Sequence, residues 1–203
     1  MIDRHLLPIQ HRLLAPAARW LAGRGVSADT VTFASFAIGM TAVPLIASGR
    51  FGAGLAAILA NRLLDGLDGA IARVVGATDR GAFLDIALDF FFYAAIPLAF
   101  ALADPAANAL AATALVVAFD GTGSSFLAFA TIAAKRGIGA ADFPDKGIHY
   151  LGGLTEGAET IGFFAVVCLW PAQFPTFAWM FAAACLTTTV VRWHAGWRAF
   201  ADR

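Results

Sequence analysis

Four aspartates at fixed spacing carry the most pointed chemistry in this sequence. Residues 65–73 read Asp65-Gly-Leu-Asp68-Gly69-Ala-Ile-Ala72-Arg73; Gly81 follows after seven residues, then Asp85 and Asp89 at intervals of four. On helices, Asp65 and Asp68 share one face, and Asp85 and Asp89 share another. If the two faces meet, each pair of like charges about 4 Å apart costs roughly 4 kcal/mol at an effective dielectric of about 20. Such a cluster calls for cations. Carboxylate oxygens are hard ligands that suit Mg²⁺, Mn²⁺ or Ca²⁺, and a pair of such ions can clamp a phosphoryl group under attack. Gly69 and Ala72 lie on the helix of the first pair, where missing side chains let a flat or phosphorylated ligand approach the backbone.

The pattern resembles the signature of the CDP-alcohol phosphotransferase family, D-x2-D-G-x2-A-R-x7 or 8-G-x3-D-x3-D, with every fixed position filled. Eight fixed positions at usages of roughly 5–8% each would match a random window with a probability on the order of 10⁻¹⁰, which excludes chance. The resemblance implies an all-α integral membrane protein with six transmembrane helices, usually a homodimer. Its reaction would move a phospho-alcohol unit from a CDP-linked donor, commonly CDP-diacylglycerol, to the hydroxyl of a small alcohol acceptor, releasing CMP. By the same resemblance Asp65, Asp68 and Asp85 bind divalent metals, Mg²⁺ or Mn²⁺ and two in number. Asp89 deprotonates the acceptor or shares in metal binding. Gly69, Ala72, Arg73 and Gly81 shape the nucleotide pocket with Asp65 and Asp68. The family often has Pro-Asn-x-x-Thr ahead of the first span; here Ala28 and Asp29 stand in place of Pro and Asn, with Thr32 following, a departure that weakens the transfer of nucleotide contacts to that turn.

Composition agrees with a membrane protein. Of 203 residues 60% are hydrophobic and 14% charged, whereas soluble domains are about 45–50% apolar. Fourteen basic against 14 acidic residues give no nucleic-acid signal. Cys168 and Cys185 lie in apolar runs without CxxC spacing and read as small core residues. Asp3, Arg4, His5, Gln10 and His11 interrupt the opening apolar runs, so no cleavable signal peptide is expected.

To position the aspartates the chain is expected to form one domain over residues 1–203. Residues 1–25 make an amphipathic interfacial helix, basic and bearing Trp20, that lies against anionic headgroups or packs on its own protein. Residues 26–203 make a six-helix core, opened by an N-cap at Ser27. Apolar segments fall at about 30–48, 51–72, 82–103, 106–134, 154–170 and 175–195, each near the ~20 residues a bilayer core demands. Twelve of the Lys and Arg residues fall on one side of these spans, including Arg73, Lys135, Lys146 and Arg192, and Arg50 alone lies in the opposite turns. Both termini and the aspartates are therefore expected on the cytoplasmic side of a bacterial inner membrane, within reach of a soluble nucleotide and a lipid tail.

Other polar residues invite two readings each. Arg62, three before Asp65, offsets a carboxylate or snorkels; Asp79 and Arg80 read as a solvated pair in a connecting loop. Asp120, inside the fourth span, is functional by default, although the small residues after it suit helix packing. Glu156 and Glu159 share a face at the start of span five and either meet the acceptor or complement the helix dipole. His149 and Tyr150 have no partner pattern. Lys135, Arg136 and Arg192 could hold a phosphorylated acceptor such as glycerol 3-phosphate, whereas Glu156 and Glu159 would favour an amino alcohol or a neutral polyol. In a different class, clustered intramembrane aspartates suit an ion or proton transporter, but the acids gather at one mouth and no repeat is visible. A catalytically silent scaffold is the third alternative.

Overall fold

The computed structural model describes residues 3–137 and 154–201, and every regular element among them is helical. The chain runs α1 (Asp3–Ala22), α2 (Ala28–Met40), α3 (Ala42–Ala47), α4 (Phe51–Val75), α5 (Asp79–Ala103), α6 (Pro105–Lys135), α7 (Gly157–Leu169), a 3₁₀ turn (Pro171–Gln173) and α8 (Phe174–Ala199). Lys146, His149 and Tyr150 lie outside the described residues.

Helix starts follow side-chain caps. Ser27 opens α2 by accepting from the Thr30 amide at 3.2 Å, Thr78 opens α5 through the Gly81 amide at 3.1 Å, and Asp104 opens α6 through the Ala107 amide at 3.1 Å. Each oxygen satisfies an amide that has no partner inside its helix. The segment expected as one span at 30–48 is two helices in line, with Thr41 between them. Pro44 accounts for the break: it has no N–H for the carbonyl of Met40 four residues earlier, and its ring crowds that carbonyl.

Four stretches are long and apolar enough to cross a membrane: Ala28–Ala47, Asp79–Ala103, Pro105–Lys135 and Pro171–Ala199. α4, at 25 residues, has the length but carries Arg62, Asp65, Asp68 and Arg73, the charges of the candidate site. α7 has 13 residues, fewer than the ~20 that span a bilayer core.

The main core gathers Ile46, Ile58, Phe92, Phe100, Leu115, Phe164 and Phe174 from the six helices α3 to α8, all nearly inaccessible to solvent. Phe100 stacks on Phe174 at 4.4 Å between ring centroids. Small residues bring backbones close: a Cβ on Gly39 would meet Asn61 at 2.9 Å, and one on Gly121 would meet Thr189 at 3.0 Å. A second, smaller core of Ala18, Val31, Ala70 and Ile71 seats α1 on α2 and α4, and a Cβ at Gly66 would collide with the Gln10 amide. One side of α1 is thus packed on the protein, while Leu13 and Trp20 on it remain exposed.

Candidate functional site

The aspartates sit where α2, α4 and α5 face one another. Asp65 and Asp68 occupy successive turns of α4, and Asp85 projects from the first turns of α5. One oxygen from each of the three carboxylates lies within 4.8 Å of the others. At that separation mutual repulsion is about 3 kcal/mol per pair at an effective dielectric near 20. Asp68 is the most buried of the three, at 5% exposure, and its Oδ2 is buried without a hydrogen-bond partner. A buried acceptor left unsatisfied costs about 1–3 kcal/mol. An all-oxygen donor set with one orphaned, inward carboxylate oxygen fits a hard divalent cation.

Asp89 is held differently. Its two oxygens receive a forked pair of bonds from Arg62, Nη2 to Oδ1 at 2.5 Å and Nη1 to Oδ2 at 3.1 Å. Arg62 also donates from Nη1 to the Tyr93 hydroxyl at 3.1 Å, from Nη2 to Asp65 Oδ1 at 3.4 Å, and from Nε to Asn61 Oδ1 at 2.9 Å. Asn61 is itself locked to α2: its Nδ2 donates to the Ser35 carbonyl and hydroxyl, and the Ser35 hydroxyl donates to the Asn61 carbonyl at 2.8 Å. A cleft beside this network is lined by Thr32, Ser35, Asn61, Asp65, Asp85 and Asp89, with Phe36 and Phe92 as apolar walls.

The glycines of the signature differ in what surrounds them. A Cβ on Gly69 would meet nothing nearer than the Arg73 guanidinium at 3.5 Å, so the chain's own packing does not require glycine there. A Cβ on Gly81 would press on Thr78 Oγ1 at 3.2 Å and Asp29 Oδ1 at 3.3 Å. Arg73 is exposed and Ala72 half-buried on the same helix.

Several expectations change. Asp79 and Arg80 are exposed, as expected, but they begin α5 and do not lie in the loop, the Thr78 cap drawing them into the helix, and Arg80 pairs with Asp29 at 2.5 Å. Glu156 is the N-cap of α7, not a residue of its face: with Glu159 it forms a capping box, Glu159 Oε2 accepting from the Glu156 amide at 3.2 Å. Arg136 donates to the Phe200 carbonyl and Arg192 to the Thr122 carbonyl, each at 3.0 Å, while Lys135 is exposed at the end of α6. None of Lys135, Arg136, Glu156, Glu159 and Arg192 lines the cleft beside the aspartates. Asp120 is exposed midway along α6. Ser35, Asn61 and Tyr93 were not singled out from the sequence, and Thr32 was noted only as the threonine of the turn before the first span. Asn61 offered a signal, an amide inside an apolar run, and so did Tyr93, four residues after Asp89 on the same helical face.

Comparison with known proteins places this arrangement. The family model for CDP-alcohol phosphatidyltransferase matches residues 26–201, and the chain belongs to that family of enzymes. It is 53% identical over 197 residues to "Inner membrane protein YnjF" of Escherichia coli, covering 97% of this chain and 96% of that protein. It is 40% identical over 92 residues to a phosphatidylinositol phosphate synthase of Streptomyces avermitilis, covering 44% of this chain and 37% of the relative. The crystal structure of Mycobacterium tuberculosis phosphatidylinositol phosphate synthase with CDP-DAG bound superposes with a TM-score of 0.65 at 26% identity, over 92% of this chain and 94% of that one. The same enzyme in complex with manganese and citrate gives a TM-score of 0.62 at 26% identity, over 91% and 88%.

Proposed function

We propose that this protein is a divalent-metal-dependent phosphatidyltransferase of the inner membrane, which moves the phosphatidyl group of CDP-diacylglycerol to a phosphorylated polyol and releases CMP. The observation that carries the reading is the convergence of Asp65, Asp68 and Asp85 with the unpartnered, buried Asp68 Oδ2. Mg²⁺ or Mn²⁺ held by these three residues would supply positive charge to the donor's diphosphate and to CMP as it leaves. The likeness to an enzyme solved with CDP-DAG, and again with manganese, supports both donor and metal.

The chain's own residues do the rest. The half-open surface of α4 around Gly69 and Ala72 admits the nucleotide against the helix backbone, with Arg73 alongside. Asp89 accepts the proton of the attacking hydroxyl: Arg62 occupies one acceptor direction on each of its oxygens, and each carboxylate oxygen has a second. The acceptor oxygen forms a bond to the phosphatidyl phosphorus, the bond from that phosphorus to the CMP oxygen breaks, and CMP departs with the electron pair. Phe36 and Phe92 close the inner side of the cleft to water.

Purified protein in lipid should release CMP from CDP-diacylglycerol only with Mg²⁺ or Mn²⁺ present; full turnover in excess EDTA would refute the metal reading. As for setting, the helix bundle from α2 to α8 is taken as six spans working as a homodimer, with α1 along the cytoplasmic face. The name of the Escherichia coli relative and the Lys and Arg distribution support that placement. Labelling of an Arg50→Cys protein from the cytoplasmic side would contradict the topology.

A further inference from the structure

We infer that Arg80 sets the protein's affinity for the donor nucleotide: it cancels the charge of Asp29 at the outer edge of the aspartate cleft, so that a diphosphate enters past a neutral pair and not past a bare carboxylate. Arg80 on α5 and Asp29 on α2 meet at 2.5 Å between Nη2 and Oδ2. Asp29 stands where the family resemblance leads one to expect a neutral asparagine, so this chain carries an extra negative charge at the turn. Arg80 supplies the matching positive one.

Helical spacing sets the position of the pair. Asp29 and Thr32 are three apart on α2, and Gly81 and Asp85 are four apart on α5, so each couple shares a face. Thr32 and Asp85 line the cleft. One turn further out, Asp29 Oδ1 lies 3.3 Å from the point where Gly81 would carry a Cβ, against the glycine that the resemblance assigns to the nucleotide pocket. Burial divides the pair unequally, since Asp29 is 17% exposed and Arg80 79%. A mostly buried carboxylate is little screened by salt and acts on an approaching anion at close range, whereas an ion-pair partner as exposed as Arg80 adds little to folding stability. Arg62 is engaged with Asp65 and Asp89, and Arg73 lies beside Gly69 on α4. The charge of Asp29 is therefore left to Arg80, whose effect falls on the donor and not on the fold.

This inference rests on the phosphatidyltransferase reading of the site, and nucleotide binding by charge variants separates the two. Full-length protein in lipid nanodiscs with Mg²⁺ is titrated calorimetrically with CDP, the soluble part of the donor that carries the diphosphate. Arg80→Gln should raise the Kd for CDP by about tenfold, equivalent to about 1.4 kcal/mol, with the melting temperature unchanged. Arg80→Lys, which keeps the charge, and Asp29→Asn, which removes the need for it, should both stay within about twofold of wild type. The double variant Asp29→Asn/Arg80→Gln should return to within about threefold of wild type, and the defect of Arg80→Gln should shrink in 1 M salt, where the screening length is only about 3 Å. An unchanged Kd in Arg80→Gln would overturn the inference. A double variant as weak as Arg80→Gln would overturn it too, because Arg80 would then act without Asp29. Equal losses in Asp29→Asn and Arg80→Gln would show that the pair only ties α2 to α5, which also overturns it. In each of these cases metal-dependent CMP release by the wild type would stand. Wild-type protein that neither binds CDP nor releases CMP would remove the functional reading, and this inference with it.

Discussion

Arg62 on α4 and Asp89 on α5 meet through a two-bond fork, 2.5 and 3.1 Å, across 27 residues of chain. That fork fixes the plane of a carboxylate that lines the same cleft as Asp65 and Asp85. A carboxylate with fixed orientation and a spare acceptor direction on each oxygen is suited to take a proton from a hydroxyl brought to the cleft.

Asp89→Asn tests that role. The amide keeps the shape but not the proton affinity, so CMP release should fall by about 10²–10⁴-fold. Binding of CDP-diacylglycerol should change by less than about threefold, since the loss belongs to the transition state and not to ground-state binding. Turnover within about tenfold of wild type would remove the base assignment.

Asp68 carries an opposite prediction for stability. Without metal its buried Oδ2 is unsatisfied and its charge faces Asp65 and Asp85. Asp68→Asn should therefore raise the melting temperature in EDTA by a few degrees, about 2–4 °C per kcal/mol recovered for a chain of this size. It should also abolish most of the stabilisation that Mn²⁺ gives the wild type. Thermal melts of both proteins, with EDTA and with Mn²⁺, read this directly; a variant that melts below wild type in EDTA would show that Asp68 is satisfied in some other way.

Gly69→Ala and Gly81→Ala should part company. At Gly69 the added methyl meets only the Arg73 guanidinium at ordinary contact distance, so the melting temperature should hold while KM for CDP-diacylglycerol rises by roughly tenfold or more, a loss of about 1.4 kcal/mol in binding. At Gly81 the methyl presses on Thr78 and Asp29, the cap of α5 and the partner of Arg80. Its effect should appear in stability as well. An unchanged KM in Gly69→Ala would sink the idea that the nucleotide lies against α4 there.

How much of this was legible in the sequence depended on whether the interaction was local. Caps at Ser27, Thr78 and Asp104 act over three residues; the first was read from the sequence, while the other two start α5 and α6 at 79 and 105, ahead of the apolar segments expected from about 82 and 106. The aspartate signature was legible because its spacing within each helix fixes a shared face. Arg62 was visible as a neighbour of Asp65, but its stronger partner, Asp89, is set by how α4 and α5 pack, and nothing in local spacing encodes that. The anchor beneath it was missed for the same reason, since Asn61 and Ser35 are 26 residues apart. Glu156 and Glu159 were read either as a face that meets the acceptor or as carboxylates at a helix start; the observed start of α7 at Gly157 favours the second, in the form of a capping box.

That choice bears on the acceptor. Two carboxylates facing the cleft would have repelled a phosphate and favoured an amino alcohol or a neutral polyol. With Glu156 and Glu159 engaged in starting α7, and neither lining the cleft, that argument weakens; Lys135, Arg136 and Arg192 do not line the cleft either, so the phosphate reading asks the acceptor to reach beyond it. Lys135 is exposed at the end of α6, and Arg192 reaches from α8 to the carbonyl of Thr122 on α6. A phosphate-bearing acceptor binds best where such groups converge. Glycerol 3-phosphate is the acceptor expected from the sequence, and inositol phosphate joins it because relatives of this chain are named phosphatidylinositol phosphate synthases. CMP release from CDP-diacylglycerol should be measured with glycerol 3-phosphate, inositol phosphate, serine, choline and glycerol, in metal-replete protein. One of the two phosphorylated polyols should exceed the other acceptors by at least about tenfold in kcat/KM, about 1.4 kcal/mol of transition-state discrimination. Arg192→Gln should then raise KM for that acceptor while leaving KM for the donor near wild type. Serine, choline or glycerol turning over as fast as both phosphorylated polyols would end the phosphate-acceptor reading and return Glu156 and Glu159 to the site.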